Sequence, residues 1–249
     1  MNRLLAKLLN KRPKYIYQDF FNTREEAVSH SRNSQDYGSK AYDSRALKKL
    51  KLDERYTQGR NMIAPLALSI LNKSQCTILD IGGGVNAVFS HLSQMQKQQH
   101  QCFVVERTEV IKHLNNKVPV KHQQHLRYID SVAELQTADI AYFGSSIQYI
   151  ENPEVLLNQI SSLSPELIIF AESIFTNDSE DYFVLQVNMF PDIFPNRFVS
   201  EDKLMNLMSG LNYHCTYNRA VAGDFSHASI KRDTYDCKTL VFKRARKER

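Results

Sequence analysis

The stretch that decides the fold is Cys76-Thr-Ile-Leu-Asp-Ile-Gly-Gly-Gly-Val-Asn86. Cys76 to Leu79 form an apolar run suited to a strand, and the run stops at an acid, Asp80. Gly82, Gly83 and Gly84 follow. The whole chain has only 8 glycines, so three in succession concentrate backbone freedom at one point. Glycine adopts positive φ and lets another group come close to the main chain. A strand, a glycine turn and then a helix is an arrangement that holds nucleotides.

Working outward, residues 61–73 read as an apolar helix leading into that strand. Beyond the turn, Val88, Phe89, Leu92 and Met95 fall at helical spacing, which predicts a helix over Ala87–Lys97. A second strand, Gln101–Glu106, closes on an acid 22 residues past Gly84, where nucleotide folds place a carboxylate for the ribose hydroxyls. Leu126–Asp130 is a third strand, again ending in an acid, followed by Asp139–Gly144 and Leu167–Glu172. Helices are expected over Val110–Asn116 and over Pro153–Leu163, with proline in a first turn. Strands and helices alternating at this rhythm predict an α/β fold with a doubly wound, mostly parallel sheet.

The last third changes character. Residues 173–198 read as a long irregular stretch, Ser200–Met208 as a capped helix, and Asn212–Tyr217 and Cys237–Phe242 as two strands. A final hairpin of that kind closes the sheet with an antiparallel edge and brings the count to seven strands. The first third is polar and tyrosine-rich, with a capping box at Thr23 and Glu26. It reads as a helical N-terminal cap over residues 1–60, with the main domain over 61–249.

With 249 residues, 42% hydrophobic and 24% charged, the chain can bury a sizeable core in one globular domain. The net charge of +5 is concentrated partly in tails, with five basic residues in Lys243–Arg249, and this argues against a nucleic-acid footprint. Leu4, Leu5, Leu8 and Leu9 share a helical face among basic residues, which suits packing within the protein or weak peripheral contact with a membrane surface. Oligomerisation stays open. Cys76, Cys102, Cys215 and Cys237 show no metal-ligand spacing, and buried reduced thiols in a cytoplasmic protein are expected. No close His/Asp/Glu cluster supports a metal.

Gly82-x-Gly84-x-x-Ala87 also satisfies the dinucleotide fingerprint. Asp80, two residues before the first glycine, stands where it can meet the amino-acid end of S-adenosylmethionine instead, and no second catalytic domain follows for hydride chemistry. Ser145, Ser146, Gln148 and Tyr149 follow the fourth strand, beyond the carboxyl ends where such sheets bind ligands. The chain resembles the class I, seven-stranded Rossmann-like methyltransferases. More narrowly, it resembles a group often encoded with bacterial surface-polysaccharide genes. The likeness rests on Phe21 to Ala27, Tyr42-Asp43, Leu79 to Gly83, Gln148-Tyr149-Ile150-Glu151-Asn152-Pro153, and Gln186-Val187 with Pro191 and Pro195, and runs over about residues 18–218. Asn86 and Glu172 depart from the pattern, in place of a glycine and a basic residue.

The resemblance implies S-adenosylmethionine as cofactor and O-methylation of a sugar or other small hydroxylated acceptor. Expected cofactor residues are Asp80, Gly82, Gly83, Gly84, Glu106, Asp130, Ser145 and Gln148. A hydroxyl acceptor needs a base within hydrogen-bond reach. Glu172 and His227 are the candidates, ahead of Asp181 and Asp224. A dinucleotide-dependent oxidoreductase or epimerase, and a non-catalytic partner subunit of the same fold, are the alternatives.

Overall fold

In a computed structural model of the chain, the residues described are 16–32, 59–84, 87–189, 192–221 and 235–245. Ten strands and six α-helices occur among them, in the order β1 (Tyr17–Phe21), α1 (Arg24–Ser29), α2 (Ile63–Leu71), β2 (Thr77–Ile81), α3 (Gln94–Gln99), β3 (Gln101–Val105), α4 (Thr108–Leu114), β4 (Leu126–Ile129), β5 (Ile140–Gly144), α5 (Pro153–Ser162), β6 (Leu167–Thr176), β7 (Tyr182–Met189), β8 (Asp192–Ser200), α6 (Glu201–Gly210), β9 (Tyr213–Ala220) and β10 (Tyr235–Arg244).

The central sheet has the order β4-β3-β2-β5-β6-β10-β9. β2 to β6 all run parallel, so their carboxyl ends line one edge of the sheet. Successive residues on these strands point to opposite faces. Ile78, Ile140, Tyr142 and Ile169 face α2 and the segment Val88–Leu92. Leu79, Ala141, Phe143, Ile168 and Phe170 face α5 and α6, through Leu157, Ile160, Leu204 and Met208. Both faces are covered, which is why these strands read as continuous apolar runs. Phe170 stacks on Phe143 at 4.8 Å and meets Phe242 edge-on at 5.8 Å.

The C-terminal hairpin is present, is antiparallel, and closes one edge of the sheet. β10 is inserted between β6 and β9 and is antiparallel to both, so the edge strand β9 runs parallel to β6. The strand count exceeds seven. Residues 173–198 are not irregular: β6 continues to Thr176, and β7 and β8 form an antiparallel hairpin. β8 adds to β6 through Phe175 and Thr176, and β1 pairs with β7. Pro195 disguised this. Proline cannot donate to a ladder and normally demotes a run, yet here it sits inside β8 opposite Leu185, away from the short β8–β6 pairing.

The described part of residues 1–60 is not a helical cap. It contributes β1 to the extended sheet, and α1 spans only six residues behind the predicted Thr23–Glu26 capping box. The leucine face at 4–9 and residues 33–58 of the expected cap lie outside the described residues. The predicted Ala87–Lys97 helix is two pieces, a 3-10 helix Val88–His91 and then α3, which restarts at a second capping box, Ser93 with Gln96. Cys76 and Cys102 are buried, whereas Cys215 and Cys237 are only half-buried; all four are free thiols. Among the described residues no helix is long and apolar enough to cross a membrane.

Candidate active site

The glycine turn leaves β2 with Gly82 at φ +70° and Gly84 at φ +52°, both in the region that favours glycine. Gly82 N–H donates to Val105 O at 2.9 Å, and Tyr128 Oη donates to Gly84 O at 3.1 Å. Gly83 is required for a different reason. A Cβ there would lie 2.2 Å from Asp80 Oδ2. The carboxylate, only 1% exposed, is folded beneath the turn and accepts from Val88 N–H at 2.7 Å. Burial pushes the Asp80 carboxyl up to about 7; the Val88 bond pulls it down, Glu106 raises it and Arg60 lowers it.

A cavity of about 600 Å³ opens above this turn at the carboxyl edge of the sheet. It gathers Asp80, Gly82, Gly83, Glu106, Asp130, Ser145, Gln148 and Glu172, brought together from the five parallel strands and the turns that follow them. Its size lies in the range of small-molecule sites, about 300–1,000 Å³. Gly84 is not part of the lining; its carbonyl is held by Tyr128. His227 and Asp224 lie outside the described residues. Asp181 is occupied elsewhere, in an ion pair with Arg197 at 2.9 Å and in a bond from Ser200 N–H at 2.8 Å.

Glu106 follows β3 directly, its main chain tied to Ile129 O at 3.0 Å, and its carboxylate accepts from Arg107 N–H at 3.2 Å. Asp130 is exposed at the mouth, where Thr108 Oγ1 donates to it at 3.4 Å. Gln148 is 5% exposed, and its Oε1 has no hydrogen-bond partner among the described residues. A buried acceptor without a donor costs about 1–3 kcal/mol, so an orphan on a cavity wall suits a ligand that supplies one.

Glu172 has the least ordinary backbone. It lies inside β6 at φ +48°, where the register with β10 slips between Lys238 and Leu240. Such a conformation costs roughly 1–3 kcal/mol for a non-glycine residue and persists only where its surroundings hold it. Three bonds do so. Glu172 N–H donates to Thr239 Oγ1 at 3.3 Å, Arg60 N–H donates to Glu172 Oε1 at 2.9 Å, and Ser145 Oγ donates to Glu172 O. The bulge turns the carboxylate into the cavity. Ser145, itself at φ +57°, thereby spends its hydroxyl on the main chain rather than presenting it to a ligand.

Two features escaped sequence reasoning, the place of Arg60 and the pairing of Tyr149 with Gln186. Arg60 lines the cavity from a 3-10 turn upstream of α2, and Tyr142 Oη donates to its carbonyl at 2.7 Å. Tyr149 Oη donates to Gln186 Oε1 at 2.8 Å, and Asn196 Nδ2 donates to the same oxygen at 3.0 Å. The Gln-Tyr and Gln-Val segments quoted above therefore meet at the cavity wall. Their spacing of 37 residues carries no periodic signal that could have paired them. Among the described residues no group of His, Cys, Asp and Glu is arranged to hold a metal ion.

Solved structures with a similar fold include the N-terminal domain of EvdMO1 with SAH bound, at TM-score 0.55 and 13% identity over 86% of this chain and 100% of that one. The fold is a methyltransferase fold. A methyltransferase from Clostridium acetobutylicum that is S-adenosylmethionine-dependent matches at TM-score 0.52 and 13% identity, over 82% of this chain and 99% of its own. Magnesium protoporphyrin IX methyltransferase from Synechocystis PCC 6803, with SAM bound, matches at TM-score 0.50 and 10% identity, over 89% and 90%. The EvdMO1 domain was also crystallised in the presence of SAH and D-fucose, and that structure matches at TM-score 0.54. The sequence matches no protein-family model and no curated protein.

Proposed function

We propose that the protein is an S-adenosylmethionine-dependent methyltransferase that O-methylates a sugar or other small hydroxylated acceptor, in surface-glycan biosynthesis. The observation that carries the cofactor reading is Asp80 beneath Gly83. A dinucleotide fold sets its pyrophosphate on free N–H groups at the start of a helix. Here the glycine turn runs into a four-residue 3-10 helix, and the Val88 N–H that opens it is already bonded to a carboxylate. A buried acid under the turn repels an anion and favours a cation.

The cradle fits the proposed cofactor on this structure's own terms. Gly83 lets the Asp80 carboxylate fold beneath the turn, Glu106 closes β3 where ribose hydroxyls would be accepted, and Gln148 Oε1 awaits a donor. The cofactor supplies a methyl group on a positively charged sulfur, a charge that disappears on transfer. Asp80, Glu106, Asp130 and Glu172 on the cavity lining suit such a cation. Glu172 is the group we take as the base for the acceptor's proton, a reading supported by Arg60 N–H fixing one carboxylate oxygen while the other has no partner among the described residues. Sugar as acceptor draws support from the neighbour crystallised with D-fucose and from Tyr17 and Tyr149 on the cavity wall, whose rings suit a sugar face.

Titration calorimetry with S-adenosylhomocysteine and with NAD tests the cofactor. Binding of the first without the second is expected. Heat with NAD and none with S-adenosylhomocysteine would replace the reading by an oxidoreductase.

A further inference from the structure

Helix α2 has an outer face that the fold does not use. Ala64, Ala67 and Leu68 are its buried residues. Met62, Leu66 and Ile70, at i, i+4 and i+8, form a row on the side away from them and are 45%, 55% and 78% exposed. A surface helix normally carries charged or polar groups on its outer face. Residues 61–72 contain no Asp, Glu, Lys or Arg. Beside the row lies a groove of about 430 Å³, with Met62, Pro65 and Leu66 on one side and Ser93, Gln94 and Gln96 on the other. Gln96 Nε2 donates to Pro65 O at 3.1 Å, so the two helices that border the groove are held together. Met95, also in α3, is 71% exposed. The row and Met95 make up half of the large apolar side chains exposed among the described residues. They leave on the order of a few hundred Å² of apolar surface open, the size at which such a patch marks a contact site.

We propose that a second copy of this chain covers this face, the row of each copy seated in the groove of the other about a twofold axis. A twofold interface needs a patch complementary to itself, and a projecting row beside an open groove meets that demand. Without charge on the row, two copies meet with no like-charge repulsion there. Methionine with few charged groups is also the composition of interface centres. A standard interface buries about 800 Å² per partner, which the row reaches with the polar groups around it, Ser69 and Gln94 among them. An anionic lipid surface would call for basic residues around the apolar face. Lys73, the first cation after the row, is instead held by Asp139 at 2.6 Å and Glu166 at 3.5 Å. The interface also adjoins the candidate site. Met62 ends the 3-10 turn Gly59–Met62, in which Arg60 N–H donates to Glu172 Oε1 at 2.9 Å and Arg60 O accepts from Tyr142 Oη at 2.7 Å. A partner seated on Met62 braces that turn from outside.

Sedimentation equilibrium of the full chain at micromolar concentration is expected to give twice the chain mass. Leu66→Glu puts a charge into the row and should weaken the dimer a hundredfold or more, with the circular dichroism spectrum unchanged. Val155→Glu, at an exposed position of α5 over the other face of the sheet, should leave it within twofold. A wild type that sediments as a monomer overturns the proposal. If that monomer floats with phosphatidylglycerol vesicles, the face belongs to a lipid surface instead. A dimer that Leu66→Glu leaves intact, or that Val155→Glu weakens equally, overturns it as well. If Leu66→Glu does not fold, hydrogen exchange on wild type decides: amides within residues 62–71 should gain protection as concentration rises and the dimer forms, and no gain there refutes the interface.

Discussion

The buried acid under the glycine turn makes the stability of the apoprotein depend on pH in an unusual direction. Asp80 rises from 3.8 to about 7, first because burial removes its water, and only partly offset by the Val88 bond. The folded chain thus keeps this proton up to near neutrality, while the unfolded chain releases it near pH 4. Between those limits the folded state holds the extra proton, so stability falls as pH rises and levels off above about 7. At ~1.36 kcal/mol per pH unit, the window is worth about 4 kcal/mol. Asp80→Asn removes the titration and keeps an oxygen for Val88 N–H. Urea unfolding of both proteins at several pH values from about 4 to 8 measures the difference. The variant should gain on wild type steadily across the window and be the more stable of the two at pH 8. His100, whose pKa is lowered by burial, acts on stability with the opposite sign, but it is common to both proteins and cancels in the comparison. Parallel pH profiles for the two proteins would refute an Asp80 carboxyl that titrates near neutrality in the apoprotein.

Three further outcomes are expected. Gly83→Ala forces a Cβ against the Asp80 carboxylate, 2.2 Å from Oδ2 and 2.6 Å from Cγ; since Val88 pins that group, the variant should lose about 1–3 kcal/mol in denaturant unfolding and lose S-adenosylhomocysteine binding in calorimetry. Phe170→Ala empties the centre of the Phe143–Phe170–Phe242 cluster and should cost about 3–5 kcal/mol, read as a drop in urea midpoint at unchanged slope. Glu172→Gln keeps an acceptor for Arg60 N–H, so S-adenosylhomocysteine affinity should stay within about twofold, while transfer of labelled methyl to acceptor extract falls roughly 10²-fold or more; unchanged transfer would remove Glu172 as the base.

The parallel half of the sheet was legible because each strand is an apolar run ending in an acid or glycine, and such runs are what burial on both faces produces. Glu106, Asp130 and Glu172 could be placed at one edge for the same reason: parallel strands put their ends together. The hairpin β7–β8 was not legible. Its proline and its Asn/Asp content argue against a strand locally, and only pairing with β1 and β6 overrides that. Arg60 was invisible because its place depends on two main-chain bonds to residues 82 and 112 positions away. The bulge at Glu172 left no glycine to mark it. Sequence alone showed a carboxylate at a strand end, and the positive φ that aims it is a tertiary effect.

The hairpin β7–β8 hangs from the parallel sheet by two ladder pairs, Phe175 with Val199 and Thr176 with Ser200. Yet it supplies one wall of the cavity, through Gln186, and grips the loop after β5 through Tyr149 and through Arg197, which donates to Glu151 O at 2.7 Å. The glycine turn and this wall of the cavity are therefore built from separable pieces of chain. A different hairpin of the same length, grafted between Thr176 and Ser200, would change the wall at Gln186 and leave the residues of the glycine turn as they are. Under the function proposed above, that would make the hairpin a piece through which acceptor choice could change without a change in the sheet beneath it.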